Sequence, residues 1–114
     1  MKTEIDIADH LVIDVLIAAF EQSVSWAKVE GYYNGAARQI VEKKGALRLT
    51  VLNDNETAFD GKSYQFDVAN VKIGLGIMAN KYPGHFANMI DSEWDCVTGD
   101  VLVQCAVFGE IIYG

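Results

Sequence analysis

Two stretches, near the start and the end of the sequence, are apolar on almost every face of a helix, and they constrain the fold more than anything else in the chain. Over residues 10–22, Val12, Val15, Leu16, Ala19 and Phe20 recur at helical spacing. Leu11, Ile13 and Ile17 fill the remaining faces, and Asp14 is the main interruption. Over 99–112, Leu102, Cys105, Ala106 and Ile112 form an inner stripe flanked by Val101 and Phe108. A helix without a polar side is either central or covered by a second subunit. Between these stretches the period changes to two, with Leu47, Leu49 and Val51 on one face of 46–52. Asp60-Gly61 is a hairpin signal, flanked by Ala58-Phe59 and by Ser63 to Phe66. Strands in the middle and helices at both ends exclude an alternating βαβ order. The expectation is a single α+β domain over 1–114, a small antiparallel sheet packed against about four helices. A chain of 114 residues has surface enough to bury one core and not two.

The remaining elements follow from local signals. Residues 2–7 alternate, with Ile5 and Ile7 two apart, as in a short strand or extended arm. Asp9 is a candidate N-cap for the first helix. A short strand is expected around 24–29, followed by an aromatic loop punctuated by Gly31 and Asn34-Gly35. Residues 36–44 suit a short helix with Ile40 and Val41 inward, closed by Gly45. Asn53-Asp54-Asn55 reads as a turn. Asp67 can cap a helix over 68–81 whose stripe is Val71, Leu75, Met78 and Ala79. Gly74 and Gly76 weaken that helix by about 1 kcal/mol each relative to alanine, so another element is expected to come close there. Pro83 ends it and suits the first turn of a helix over 84–90. The last helix opens at Thr98 or Asp95.

Charge narrows the function. Nine basic residues against sixteen acidic ones give a net charge of −7. Direct binding of nucleic acid is therefore not expected, because phosphate recognition needs a basic face. A compact acidic protein can instead compete with nucleic acid for a basic cleft on another protein, provided its acids cluster. No apolar run reaches the roughly 18–20 residues of a membrane span. The start, Met1 to Asp6, lacks the basic-then-apolar order of a secretory leader. Two cysteines, Cys96 and Cys105, match neither a disulfide scaffold nor a zinc spacing, which fits a cytoplasmic protein with reduced thiols. Cys105 reads as an ordinary core residue.

No constellation specifies a reaction, and neither a metal nor a cofactor is expected. Gly74-Leu75-Gly76-Ile77-Met78-Ala79 fits the dinucleotide fingerprint in letters. Its chemistry needs a strand before it and a long helix after it, and Pro83 leaves under two turns. His10 and His85 stand outside any His-x-x-x-His or Glu-x-x-His spacing, and His85 at a helix start reads as a surface or capping residue, with a ligand role the lesser reading. The candidates that remain are contact residues. Asp91, Glu93 and Asp95 surround Trp94, which either folds back on the core or anchors an interface. Trp26, Tyr32 and Tyr33 either pack in the sheet or offer an aromatic surface to a partner or a flat ligand, helped by Arg38 or Arg48.

The second half carries a resemblance. The run Lys81-Tyr82-Pro83-Gly84-His85-Phe86-Ala87-Asn88-Met89-Ile90, and after it Thr98-Gly99-Asp100-Val101-Leu102-Val103-Gln104 through Phe108-Gly109-Glu110-Ile111-Ile112-Tyr113-Gly114, is similar to a family of small uncharacterised proteins of bacteriophages and mobile elements. Ile13 to Trp26 resembles that family's N-terminal helix and the segment after it. The likeness is dense over 70–114. The chain departs from it at Gln22-Ser23, where the family has Gly-Gly, and at Gly84, where the family has Arg. The resemblance implies a genetic setting and no reaction. Within it, Glu110 stands on an otherwise apolar helix and is either exposed at the edge or paired inside with Arg38, Arg48 or Lys72.

Together these readings lead to a non-enzymatic accessory protein that binds a host protein, a counter-defence inhibitor being one form of it. A small-ligand or nucleotide-sequestering protein is the alternative. The two apolar end helices also lead to the expectation of a homo-oligomer, most simply a dimer.

Overall fold

A computed structural model describes residues 7–53 and 56–113; residues 2–6 of the arm expected over 2–7 and residues 54–55 of the 53–55 turn lie outside the described residues. Among the described residues, five α-helices and a three-stranded antiparallel sheet form one α+β fold. Helix α1 spans Asp9–Ala18 and runs directly into a π-helical turn, Ala19–Ser23. Strand β1 (Ala27–Glu30) is followed by helix α2 (Ala36–Val41) and strand β2 (Leu47–Val51). Strand β3 (Ser63–Phe66) leads into helix α3 (Val68–Lys81), helix α4 (Pro83–Ile90) and helix α5 (Cys96–Phe108). No helix among the described residues is long and apolar enough to cross a membrane.

The sheet order is β1-β2-β3. Leu49 of β2 lies between Val29 and Tyr64, and Arg48 between Glu30 and Gln65. The alternation expected for β2 is present: Leu47, Leu49 and Val51 are buried, while Arg48 points to solvent. The hairpin differs from expectation. Ala58-Phe59 is not a strand; β2 connects to β3 through a longer loop, and Asp60-Gly61 is a turn inside it. The Asp60 carboxylate accepts from the Glu56 and Thr57 amides and the Thr57 hydroxyl, so Asp60 organises the loop and does not open a two-residue hairpin.

Helix α5 is the central element. Thr98, Gly99 and every residue from Val101 to Ala106 are buried. It touches α1, the π-turn, α3, α4 and β3. Its lack of a polar face is thus met by the chain's own elements. In α1, Val12, Ile13, Val15 and Leu16 are buried, and Leu11 and Ile17 are half-buried against the core. The apolar surface that suggested a second subunit at the two ends is therefore covered within one chain, and that argument for a dimer loses its premise.

Two glycines make the central packing possible. A Cβ on Gly99 would lie 2.6 Å from the Val15 carbonyl oxygen and 2.9 Å from the Ala19 Cβ. A Cβ on Gly74 would lie 2.9 Å from both the amide nitrogen and the Cβ of Ala106. Helix α5 is thus held at backbone contact distance from the α1–π junction on one side and from α3 on the other. Gly76 differs: nothing lies within 4 Å of the corresponding point. Of the two helical glycines expected to admit a neighbour, only Gly74 does so among the described residues.

Several boundaries shift, each for a local reason. Helix α1 begins at Asp9 behind Ala8, with no side-chain cap, so Asp9 is its first residue and not its N-cap. Strand β1 begins at Ala27, later than expected. Helix α2 stops at Val41 because Lys43 takes a left-handed conformation (φ 65°), well before Gly45. Asp95 and Thr98, read as alternative starts for the last helix, act together as its capping box. Helix α5 ends at Phe108, where Gly109 turns left-handed (φ 77°) as the C-cap. Glu110 therefore lies beyond the helix, exposed, and among the described residues forms no ion pair; Arg38 pairs instead with Glu42, at 3.9 Å.

Candidate functional site

The chain between α4 and α5 forms a short ledge. Met89 is fully buried and fixes the end of α4. The backbone then turns sharply: the Asp91 amide donates to the Ala87 carbonyl, Ser92 to Met89, and Glu93 to Asn88. Ser92 takes the left-handed conformation (φ 59°) that this reversal demands. These bonds leave the side chains of Asp91 and Glu93 exposed. Trp94 is half-buried against the core, so the loop is anchored by its indole while part of the ring stays at the surface. Ile90 on one side is 43% exposed and Val97 on the other 53%. The ledge thus carries two carboxylates, part of an indole and two aliphatic side chains on a backbone pinned at both ends.

Asp95 has a different task from its neighbours. Its Oδ1 accepts from the Val97 amide at 3.0 Å and the Thr98 amide at 3.1 Å. It is a helix cap, as Asp67 is for α3. Asp95→Ala is expected to cost about 1 kcal/mol of stability, read from the urea midpoint. A fall of the same size for Asp91→Ala would contradict the division of roles proposed here.

The three aromatic candidates do not form one surface. Trp26 is buried, and its Nε1–H donates to Asp100 Oδ1 at 2.8 Å. Its ring stacks on Tyr113 (centroids 5.4 Å, 19° between planes) and packs on Phe108. It is therefore a core residue and is not available to a partner. Tyr32 is half-buried beside Phe20, and its hydroxyl donates to Glu21 Oε2 at 2.6 Å. Burial, together with the Glu21 carboxylate, pushes the Tyr32 phenol up to about 12. Tyr33 alone is open, at 55% exposure. His85 is half-buried in the first turn of α4, and among the described residues no carboxylate, thiol or hydroxyl hydrogen-bonds to it. No group of three or more His, Cys, Asp or Glu among the described residues could hold a metal ion. Both cysteines are free, with Cys105 buried and Cys96 partly so. The Gly74–Ala79 fingerprint lies in the middle of α3, where no helix N-terminus is available to a phosphate.

The solvent side of the sheet holds a shallow groove of about 600 Å³. Arg48, Glu30, Gln65 and Tyr64 line it. Arg48 and Gln65 lie on the solvent face here, whereas Tyr64 is level with Leu49 on the other face and its ring packs on Phe108.

A buried polar network behind the aromatic cluster was not singled out from the sequence. Gln104 is fully buried. Its Oε1 accepts from the Ile112 amide at 2.7 Å and the Tyr113 amide at 2.8 Å. Its Nε2 donates to the Tyr113 carbonyl and to Asp100 Oδ2. Burial raises the Asp100 carboxyl above the usual range, and the Trp26 and Gln104 hydrogen bonds offset part of that. Tyr82 accepts from the Ile111 amide, and the Tyr113 and Thr57 hydroxyls bond at 2.7 Å. Together these contacts strap 109–113 across the body of the protein. The signal in the sequence was a lone amide side chain in an apolar helix, Gln104, and not the neighbouring carboxylate Glu110. Set against known proteins, the chain matches no family model, no curated protein and no solved structure.

Proposed function

We propose that the protein is a non-catalytic binding protein that docks on another protein through the ledge between α4 and α5. In the setting implied by the phage and mobile-element resemblance, that partner is a host protein. The observation that carries this reading is the pairing of exposed apolar and acidic groups on a pinned backbone: Ile90 and Val97 flank Asp91, Glu93 and the surface part of Trp94. A rigid loop gives up little entropy on binding, and a tryptophan rimmed by charges is a typical anchor. The net charge of −7 directs it to a basic partner surface.

The test is capture from host lysate by the immobilised protein, compared with Trp94→Ala and with Asp91→Lys/Glu93→Lys. One specific protein is expected on the native chain. Its affinity should fall about 30-fold for Trp94→Ala, and the charge-reversed variant should lose salt-sensitive binding. No protein above background, or equal capture by all three chains, would defeat the reading.

The groove over Arg48 and Gln65 favours a second reading, a small anionic or nucleotide ligand. A thermal-shift panel of nucleotides decides it. It is discarded if no compound raises the midpoint, or if Arg48→Ala responds like the native chain.

A further inference from the structure

We infer that the outward face of α3 is a homodimer contact, in which two copies of this chain pack α3 against α3, antiparallel, about a twofold axis. This face is independent of the ledge. It consists of Ala69, Ile73, Gly76 and Asn80, which recur at helical spacing and are all exposed.

Three observations converge on it. Ile73 is 57% exposed, the most exposed large apolar side chain among the described residues. Gly76 has open space where its side chain would be and no positive φ. Nothing among the described residues therefore requires glycine there, although glycine weakens a helix interior relative to alanine. Gly74, two residues away, shows what such a residue does when a neighbour is present, since its missing Cβ admits Ala106. Finally, α3 contains two lysines and no acid in a chain of net charge −7. Two copies meeting here avoid most of the acidic repulsion that other faces would bring together.

The order of side chains along the face specifies the arrangement. In an antiparallel pair centred between Gly74 and Leu75, Ile73 of each copy lies opposite Gly76 of the other. Ala69 then lies opposite Asn80. A large side chain meets a missing one twice, and small meets medium twice. Such self-complementarity is what a twofold contact requires. One face of a 14-residue helix is at the small end of interface sizes, so the dimer is a weak one, with a Kd of about 10–100 μM.

The test is sedimentation equilibrium on the whole chain from about 5 to about 500 μM, a range set to bracket that affinity. The mass is expected to rise from 12.5 kDa towards twice that value. Ile73→Lys should remain monomeric throughout, and Tyr33→Lys, exposed on another element, should dimerise like the native chain. Gly76→Ala separates a contact role from a folding role. At the lowest concentration it should raise the thermal midpoint by about 4 °C, as a better helix former in open space does. It should also weaken dimerisation about tenfold. A mass of 12.5 kDa at every concentration would overturn the inference. So would native-like dimerisation of Ile73→Lys, or equal loss in Tyr33→Lys.

Discussion

Gly99→Ala is expected to lower the stability of the fold by about 3 kcal/mol, a large loss for a single added methyl group. The new carbon would stand 2.6 Å from the Val15 carbonyl oxygen and 3.1 Å from the Ala19 amide nitrogen. Both are backbone atoms of the α1–π junction, so no rotamer change makes room. Helix α5 has to move out, or α1 has to bend. Either shift opens space around Val12, Leu16 and Leu102, all fully buried. Alanine's better helix propensity returns only about 1 kcal/mol. The thermal midpoint should fall by about 12 °C, and the urea midpoint should fall with an unchanged slope. Gly76→Ala supplies the opposite sign in an ordinary helical setting. If Gly99→Ala were neutral or stabilising, the close approach of α5 to the α1–π junction would not exist.

Gln104→Leu is expected to cost a similar amount, about 3 kcal/mol, although leucine fills the same volume in an apolar helix. The substitution strands the Ile112 and Tyr113 amides and removes one donor from Asp100. Some of those groups can recover water if 110–113 lifts away, which limits the loss. That lifting gives a second readout. Tyr113 would leave the Trp26 ring, so indole fluorescence should change within the native baseline. Hydrogen exchange at the Ile111, Ile112 and Tyr113 amides should lose protection, while α5 itself keeps most of its own. A Gln104→Leu protein with native exchange at those three amides would show that the strap is held by the rings alone.

Much of the fold was legible because periodicity reports burial directly. The α+β class, the inward face of β2 and the Asp67 cap of α3 all follow from spacing and from one capping residue. Less legible were features set by partners distant in sequence. The all-round apolar character of α5 says that it is covered, but not by what; α1 and α3 cover it because Gly99 and Gly74 let them in. Trp26 stayed open between core packing and a contact surface because nothing nearby in sequence shows Asp100 and Tyr113 waiting for it, more than seventy residues later. Of the acidic loop, composition gave the residue types. It could not distinguish Asp95, whose carboxylate is committed to backbone amides, from Asp91 and Glu93, which stay open to solvent.

The position of α5 in the chain order has a consequence for biosynthesis. Every other helix and strand of the described residues precedes it, and most of them rest against it. While the ribosome is still adding residues up to about 95, the preceding elements have no common keel and their apolar sides are open to chaperones or to each other. Folding should thus wait until Cys96 to Phe108 clears the exit tunnel, with the contact between α1 and α5 closing a long loop.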